Sequence, residues 1–413
     1  MIGLLREHDF RLFWIGETTS ALGTSATALA MPLVAVSTLH AGAFEVSLLT
    51  AATWLPWLLI ALPAGAWVDR LRRRPVLLAA NLTAALVLLS APVAAWAGLL
   101  TLTHLLAVAL VVGVTAVFAQ TAYQVYLPSL ITAEQMHEGN AKLQGSASAA
   151  QLAGPGVTGL LARLGGPVTA LVVDAASYLV SVACLLGIRR AEPVPERPAA
   201  REPLRTEVRA GLSFIRRDPY LRVMVTFGAL SNLALTAFQA VVVVFLVRTV
   251  GVGAGTIGVL FMLSGLGGVL GAAVSVPLAR RVGSAYAMIG AELVGGALVL
   301  AIPLTSAGPG LLWFALGDFG VAAGVVAGNV LQGTFRQRYC PPELLGRVTA
   351  SMRAVNYSTM PLAAVASGGL ATLIGLRPTV WVGAAGVLAA AGILLVGPLK
   401  RARDLPERVP ETV

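Results

Sequence analysis

Long, continuous apolar segments separated by short clusters of Arg, Pro and Gly make up most of the chain. A helix needs about 20 mainly apolar residues to cross a bilayer, whereas the strands of a membrane barrel alternate apolar and polar residues, and these segments do not alternate. The pattern therefore predicts an all-α membrane protein with twelve transmembrane helices. Their expected ranges are 10–37, 44–68, 75–97, 102–127, 144–163, 167–189, 219–248, 255–279, 284–305, 310–335, 348–374 and 378–399.

The interruption between the sixth and seventh segments differs from the others. Residues 190–218 contain several Pro residues interleaved with Glu and Arg, which cannot form a span. We expect a cytoplasmic linker here, between an N-terminal six-helix bundle (1–189) and a C-terminal six-helix bundle (219–399) that is followed by a cytoplasmic tail (400–413). Residues 204–217 have the pattern of an amphipathic surface helix. The short polar N-terminus contains no small-residue cleavage site, so we expect no removable signal peptide.

The composition excludes several classes of protein. Of the 413 residues 57% are hydrophobic and 12% are charged, about half the charge of an ordinary soluble domain. An ordinary soluble enzyme and a disordered chain are therefore excluded. With two cysteines, the chain is not a disulfide scaffold.

The distribution of positive charge predicts the orientation in the membrane. Of the 29 Lys and Arg residues, Arg163, Arg248 and Arg377 fall on one side of the predicted topology, and the other 26 fall on the side of both termini and the linker. Because positive residues accumulate on the cytoplasmic side, we expect both termini in the cytoplasm and no nucleic-acid partner for the net charge of +10. The excess of Arg over Lys is typical of a GC-rich bacterial genome, which indicates the inner (plasma) membrane of a bacterial cell.

The two halves of the chain match each other at a constant offset of 209 residues. The matched pairs are Asp9 with Asp218, Gln120 with Asn329 and Glu134 with Glu343. One match could arise by chance, but three at the same offset favour a duplicated six-helix unit. We therefore predict two six-helix pseudo-repeat bundles around a central cavity, with a substrate site near the bilayer midplane.

Two short motifs are similar to signatures of a known transporter family. Residues 65–75, Gly-Ala-Trp-Val-Asp-Arg-Leu-Arg-Arg-Arg-Pro, resemble the loop 2–3 signature G-x-x-x-D-R-x-G-R-R of the major facilitator superfamily. The resemblance implies a gating loop built from Gly65, Asp69, Arg70 and Arg73. Gly65 would permit close helix packing, and Asp69 would cap a helix end or pair with an Arg. Arg72 stands where the family usually has Gly.

The second motif lies in the fifth predicted helix. Gly154, Pro155 and Gly159 belong to a run that resembles the antiporter signature G-P-x-x-G-G, with Thr158 in place of one Gly. Pro bends a helix, and small residues let a neighbouring helix approach closely. A kinked packing helix without further role stays open as an alternative.

Other runs extend the resemblance over essentially the whole chain. They are Leu-Phe-Trp-Ile-Gly at 12–16, Val-Asp-Ala-Ala-Ser-Tyr at 173–178 and Pro-Glu-Leu-Leu-Gly-Arg-Val at 342–348. Together they resemble the drug:proton antiporter branch of the superfamily, which includes enterobactin-type and macrolide-type exporters. The resemblance implies export of a compound in exchange for protons, and it says little about the identity of the cargo.

Acidic residues inside predicted spans are the candidates for proton coupling. A charge in the hydrocarbon region costs roughly 2.5–3.5 kcal/mol, so such acids are rare unless they are functional. Removal from water disfavours the charged form of a carboxyl group, which lets it take up and release a proton near neutral pH. Four residues qualify, and a structural role stays open for each: Asp318, Glu17, Asp174 and Glu292.

Polar residues at helical spacing are the candidates for cargo contact. In the tenth helix Asp318, Asn329, Gln332 and Arg336 fall on one stripe, which must face the bundle interior or water. The resemblance implies that helices one, four, seven and ten line the cavity. The remaining candidates are Gln120, Tyr123 and Gln124 in helix four, Asn232, Thr236 and Gln239 in helix seven, and Trp54 and Trp57 in helix two, whose indoles would contact cargo or only pack.

Enzyme, metal and cofactor sites find no support. The four His residues have no Cys or Glu at ligand spacing, and no Walker-type phosphate loop occurs. We therefore predict a secondary active transporter that exports a small amphipathic drug or metabolite, antibiotic-like or siderophore-like, by proton-coupled alternating access. It would work in the lipid bilayer as a monomer, with cargo and protons as its partners. An uptake carrier of the same fold and a membrane sensor or scaffold that transports nothing stay open as alternatives.

Overall fold

The computed structural model describes residues 3–68, 70–132, 134–190, 192 and 204–407. The predicted gating residue Asp69 lies outside these ranges. Within them the regular structure is helical and contains no strand. The α-helices are α1 (His8–Ser37), α2 (Ala43–Leu59), α3 (Ala61–Val68), α4 (Arg73–Trp96), α5 (Leu102–Leu130), α6 (Met136–Gly165), α7 (Val168–Gly187), α8 (Leu204–Arg217), α9 (Pro219–Val244), α10 (Ala254–Val282), α11 (Ser284–Leu298), α12 (Leu311–Tyr339), α13 (Pro342–Ile374) and α14 (Leu376–Gly392).

The second predicted span is divided into α2 and α3. Ile60 leaves the helical conformation, with φ −121° and ψ −4°. Pro63 explains the break, because its ring nitrogen has no hydrogen to donate to the carbonyl of Leu59 four residues earlier. Most other helices follow the predicted ranges to within a few residues, but α6 begins at Met136 and α13 at Pro342, eight and six residues before the predicted starts. Helices α9 and α11 continue into short segments of different winding, Phe245–Val250 and Val299–Leu304.

Ten helices among the described residues are long and apolar enough to cross a membrane. The second and fifth predicted spans do not reach this standard: α2 has 17 residues, and the first half of α6 is rich in polar residues. The structure is therefore consistent with twelve spans, although length and composition establish ten of them. The chain is a multi-pass membrane protein.

Internal contacts divide the chain into two compact units. The first consists of Met1–Ala200 with Gly253–Met262, so the start of α10 packs with the first half, and the second consists of Arg201–Val252 with Leu263–Val413. Each unit has its own buried core at the ends of its helices. In the first, Phe10, Phe13 and Tyr126 are almost fully buried, and in the second, Leu221 and Met224 are.

The two cores repeat each other at the offset of 209 that the sequence predicts. Four buried residues of the first core have buried counterparts in the second, each 209 positions later. The pairs are Tyr126 with Phe335, Leu130 with Tyr339, Leu143 with Met352 and Leu185 with Leu394. These four pairs of equivalent positions therefore serve the same packing role in the two units, as a duplicated six-helix unit predicts.

The predicted helix at the end of the linker is confirmed as α8. It begins at Leu204 and ends at Arg217, as the amphipathic pattern predicts. It packs within the second unit against α13, where a Cβ atom at Gly211 would lie 2.7 Å from the carbonyl oxygen of Arg347. Ile215 completes the contact as part of the buried core.

Candidate functional site

A buried acid lies between α1 and α7 in the first unit. Asp174 has no exposed surface, and the hydroxyl of Ser177, one turn later, lies 2.7 Å from its backbone carbonyl oxygen and 3.2 Å from its Oδ1. Gly23 of α1 provides the space, because a Cβ atom there would lie 2.9 Å from the Cα of Asp174. The predicted acid thus lies in a closely packed helix contact.

The same face of α7 carries further polar contacts. The hydroxyls of Tyr178 and Thr24 lie 3.1 Å apart, which joins α7 to α1. The amide nitrogen of Asn81 on α4 donates to Ser181 Oγ over 2.9 Å, and both residues are buried. No role was predicted from the sequence for Thr24, Asn81 or Ser181, although Asp174, Ser177, Tyr178 and Ser181 recur at the spacing of one helix face. The spacing could have indicated that α7 has a polar face.

Glu17 differs from the other three acids in its exposure. It is half-buried in α1, whereas Asp174, Glu292 and Asp318 are buried. It follows Phe13 by one turn, and the ring of Phe13 stacks on that of Tyr123 with centroids 5.3 Å apart. It precedes Thr24 by two turns on the same helix face. Glu17 is therefore the acid of this group that water or cargo can reach most readily.

Glu292 lies between α11 and α12 in the second unit. Only 6% of the residue is exposed. Its side chain occupies the space beside Gly328 of α12, where a Cβ atom would overlap its Oε1. The predicted acid therefore lies in a helix contact that a glycine makes possible.

Asp318 lies in α12 opposite α10. The residue is 6% exposed, and Ser264 of α10 donates its hydroxyl to the backbone carbonyl of Asp318 over 3.2 Å. The two helices approach closely here, because a Cβ atom at Gly267 would overlap the carbonyl oxygen of Phe319. The Oδ2 atom of Asp318 has no hydrogen-bond partner within the described part of the chain. None of the four acids forms an ion pair with a described residue.

Several predicted cargo residues expose amide groups from membrane-spanning helices. Gln120 and Gln124 on α5, Gln239 on α9 and Asn329 on α12 are exposed. Amides at membrane depth face a water-filled space more favourably than lipid, because hydrocarbon offers them no hydrogen bonds. Gln120 and Asn329 are also equivalent positions of the repeat. The exposed amides thus occur in both units.

Other predicted cargo residues are less accessible. Thr236 and Gln332 are 5% and 7% exposed, so they lie in the packed interior of the second unit. Asn232 is half-buried and donates its amide to the carbonyl of Gly228 in its own helix. The rings of Trp54 and Trp57 lie 6.3 Å apart. Both indoles are half-buried, as is Tyr123, so part of each side chain is exposed.

The predicted gating loop follows α3. A Cβ atom at Gly65 would meet no described atom within 4 Å, so the close packing expected at this glycine is not found. Arg70 is exposed. Arg73 pairs with Glu192 of the linker, with Nη1 and Oε1 3.8 Å apart, and the Glu192 carboxylate also accepts the backbone N–H groups of Arg73 and Arg74 over 2.5 and 3.1 Å. A linker carboxylate that the sequence did not indicate therefore caps α4.

The antiporter-like motif forms close helix contacts. A Cβ atom at Gly154 of α6 would lie 2.8 Å from the backbone carbon of Ser25 in α1, and Thr158 donates its hydroxyl to the carbonyl of Ala26 over 2.7 Å. At Gly159 a Cβ atom would lie 2.9 Å from the Cα of Gly258, at the start of α10. Thr158, which departs from the family pattern, therefore replaces a glycine with a hydrogen bond to the neighbouring helix. Among the described residues no group of three or more His, Cys, Asp or Glu could hold a metal ion.

A bundle of membrane-spanning helices with amides and unpaired acids inside its spans defines a class of protein, the secondary transporters. The family model described as "Transmembrane secretion effector", of the major facilitator superfamily, matches residues 2–409. The chain belongs to this family.

Known relatives and solved structures agree with this membership. The multidrug efflux pump Tap of Mycolicibacterium fortuitum is 25% identical, with 89% of this chain and 90% of Tap covered. The enterobactin exporter EntS of Salmonella typhimurium is 26% identical, with 98% and 96% covered. The nucleoside transporter NupG (D323A mutant) has a TM-score of 0.77 at 13% identity, with 94% of this chain and 99% of NupG covered. A bacterial homologue of the iron transporter ferroportin has a TM-score of 0.74 at 18% identity, with 95% and 98% covered, so both structures share the fold.

Proposed function

We propose that this transporter exports a small amphipathic compound from the bacterial cytoplasm in exchange for protons, and that it works as a monomer. The observation that carries the proposal is Glu17, a half-buried carboxyl group inside a span with no described cation beside it. A carboxyl group in such surroundings exists in either protonation state, and cargo or water can reach it. The similarity to Tap, a multidrug efflux pump, and to EntS, an enterobactin exporter, supports export.

The four acids divide into two proposed roles. Glu17 and Asp318 would carry the protons, since Glu17 is accessible and Asp318 begins the polar stripe of α12 that Asn329 and Gln332 continue. A carboxylate oxygen with no described partner occurs in both Asp318 and Asp174, so it does not separate the two roles. Asp174 and Glu292 would stabilise helix contacts, because each occupies space left by a glycine, Gly23 or Gly328. Protonation would bias which of two transporter conformations is preferred, as alternating access requires.

The exposed amides are the proposed cargo contacts. Gln120, Gln124, Gln239 and Asn329 can donate and accept hydrogen bonds without imposing a charge. Tyr123, Trp54 and Trp57 add apolar ring surface. A surface of amides and aromatic rings accepts varied amphipathic molecules.

Inside-out vesicles containing the full chain test the proposal, because they expose the cytoplasmic face. A panel of fluorescent amphipathic compounds is added outside, and a proton gradient, acid inside, should drive at least one of them into the vesicles. Collapse of the gradient with an ionophore should stop accumulation. Accumulation at the same rate with and without the proton gradient would contradict proton coupling. Gradient-driven loss of preloaded compound would indicate an uptake carrier.

Substitution of Glu17 by Gln separates coupling from cargo binding. We expect E17Q to lose gradient-driven accumulation and to retain exchange of labelled for unlabelled compound without a gradient, because an amide cannot release a proton at this pH. D318N should behave in the same way. The matched control is E134Q, which makes the same chemical change at an exposed loop residue and should leave accumulation unchanged. Gradient-driven accumulation by E17Q and D318N would exclude both residues as proton carriers.

A further inference from the structure

A groove with apolar walls opens along one side of the second unit. It has a volume of about 500 Å³ and lies between α10 and α11, with α12 behind it. Leu270, Val274 and Leu278 of α10 and Val294 of α11 line it and are 36–61% exposed. A groove of this volume is within the size range of small-molecule sites.

Glycines and alanines form the floor of the groove. A Cβ atom at Gly271 of α10 would overlap the carbonyl oxygen of Ala323 of α12, and one at Gly324 would lie 2.6 Å from the carbonyl oxygen of Ala291. Both α10 and α11 therefore touch α12 backbone to backbone, which leaves the space between them open. A Cβ atom at Gly290 of α11 would meet nothing within 4 Å, so this residue borders the open space directly.

The length of the groove fits one leaflet of a bilayer. On α10 the lining residues extend from Leu270 to Val282, and on α11 from Tyr286 to Leu298. Twelve residues of helix rise about 18 Å. One leaflet contributes about 15 Å of hydrocarbon, half of the bilayer core. An acyl chain that starts at the turn between α10 and α11 would therefore lie in the groove over its full length.

Positive charge lies at the end of the groove where α10 and α11 meet. Arg281 follows the lining residue Leu278 by one turn and is exposed. Arg403 lies against the same turn, because its carbonyl accepts the backbone N–H of Ala285 over 3.1 Å, and its side chain is also exposed. The neighbouring acid, Asp404, accepts a hydrogen bond from the backbone N–H of Ser284 over 2.9 Å. Neither arginine pairs with a carboxylate within the described part of the chain.

We propose that this groove is a specific site for an anionic phospholipid, with one acyl chain between α10 and α11 and the phosphate group held by Arg281 and Arg403. The apolar walls match an acyl chain, and the two arginines match the charge of the headgroup. An arginine close to an anionic lipid surface contributes about 1 kcal/mol, or about five-fold in affinity. No acid or amide assigned to transport lines the groove, and the proposal does not depend on the direction of transport.

Native mass spectrometry of the full chain in mild detergent tests the headgroup. We expect one bound phosphatidylglycerol at lipid concentrations at which phosphatidylcholine with the same acyl chains is not retained. R281Q should weaken retention of phosphatidylglycerol about five-fold. R280Q is the matched control, because Arg280 lies about 160° around the helix from Leu278 and so faces away from the groove. Equal retention of both lipids, or equal effects of R281Q and R280Q, would overturn the assignment of the headgroup.

Substitution of Gly290 by Leu tests the groove itself. Because there is open space at this position, the larger side chain should fill the groove without disturbing the helix contacts. G290L should lose the bound lipid, whereas G369L, a change at an equally open helical glycine of α13, should keep it. Unchanged binding in G290L, with an unchanged unfolding temperature, would overturn the proposal. A dimer in the wild-type spectrum that G290L abolishes would show that a second copy of the chain occupies the groove, which also overturns it.

Discussion

The third membrane-spanning helix of each half is capped in the same way by different residues. In the first half both oxygens of Glu192, from the segment after α7, accept backbone N–H groups at the start of α4, and the carboxylate also pairs with Arg73. In the second half Asp404, from the segment after α14, accepts the N–H of Ser284 at the start of α11, and Ser284 Oγ accepts the N–H of Leu405. Each half thus ties its end to the start of its own third helix.

A comparison of these caps shows which contact occurs in both halves and which occurs in one of them. A helix N-terminus leaves backbone donors unsatisfied and carries partial positive charge, so a carboxylate stabilises it in either half. Among the described residues, an ion pair at this cap is found in the first half, where Arg73 at the start of α4 pairs with Glu192. The arginine motif therefore adds an electrostatic contact to a cap that the fold contains twice.

The buried acids differ between the halves in a similar way. A Cβ atom at Gly23 would lie 2.9 Å from the Cα of Asp174, so backbone approaches backbone. At Gly328 the atoms that a Cβ would meet all belong to the flexible side chain of Glu292. The first contact is therefore rigid, and the second can adjust.

The largest expected effect comes from adding a methyl group at these two glycines. G23A should lower the free energy of unfolding by about 3 kcal/mol and G328A by about 2 kcal/mol, the range for overpacking. Thermal unfolding of the purified protein in detergent measures both. Removal of the acid side chain should restore the stability of G328A in the double variant with E292A, whereas D174A should restore little in G23A, because the backbone of α7 stays in place.

These double variants need single-variant controls. The reference for each is the acid substitution alone, E292A or D174A, since loss of a buried carboxyl group changes stability by itself. If D174A rescues G23A as fully as E292A rescues G328A, the two contacts do not differ in rigidity.

The helices and the repeat could be predicted from the sequence because they depend on local patterns. Apolar runs gave the spans, and the offset that pairs Gln120 with Asn329 also pairs buried core residues such as Tyr126 and Phe335. The break at Ile60 was missed, although Pro63 was visible, because a proline within a membrane helix can kink it or end it.

The contacts of the site could not be predicted to the same extent. A sequence names an acid such as Glu292, but the space it occupies is provided by Gly328 on another helix, and many glycines share that spacing. The sequence indicated Asp69 as a helix cap or as a partner for an Arg, but it did not indicate Glu192, which caps α4 from 119 residues away. Contacts between residues so far apart in the chain depend on how the helices pack, and local sequence patterns do not reveal that packing.

The two caps should contribute unequally to the free energy of unfolding. E192A should lower the free energy of unfolding by about 2 kcal/mol, because α4 loses two acceptors and Arg73 loses its partner, and D404A by about 1 kcal/mol. E407A is the control, since Glu407 pairs with Arg338 at side chains 74% and 64% exposed and such surface pairs contribute little. Raising the salt concentration should reduce the difference between E192A and D404A. A difference that salt does not change would mean that the ion pair contributes nothing to it.

The smallest expected effect concerns a hydrogen bond that only the second half contains. Tyr339 donates its hydroxyl to Oδ2 of buried Asp218 over 2.5 Å, whereas the equivalent residue in the first half is Leu130, which has no hydroxyl. Y339F should lower the free energy of unfolding by about 1 kcal/mol, because Asp218 keeps the N–H of Leu221 on its other oxygen.

Tyr220 provides the matched control for this hydrogen bond. Its ring contacts that of Tyr339 with centroids 6.0 Å apart, so Y220F removes a hydroxyl from the same aromatic cluster without removing the donor to Asp218. Thermal unfolding should place Y220F close to the wild type and Y339F below it. Equal effects of the two substitutions would mean that the hydroxyl of Tyr339 contributes no specific stability. At this position the two halves would then differ only in aromatic packing, because the backbone N–H of Leu221 would be a sufficient donor for Asp218.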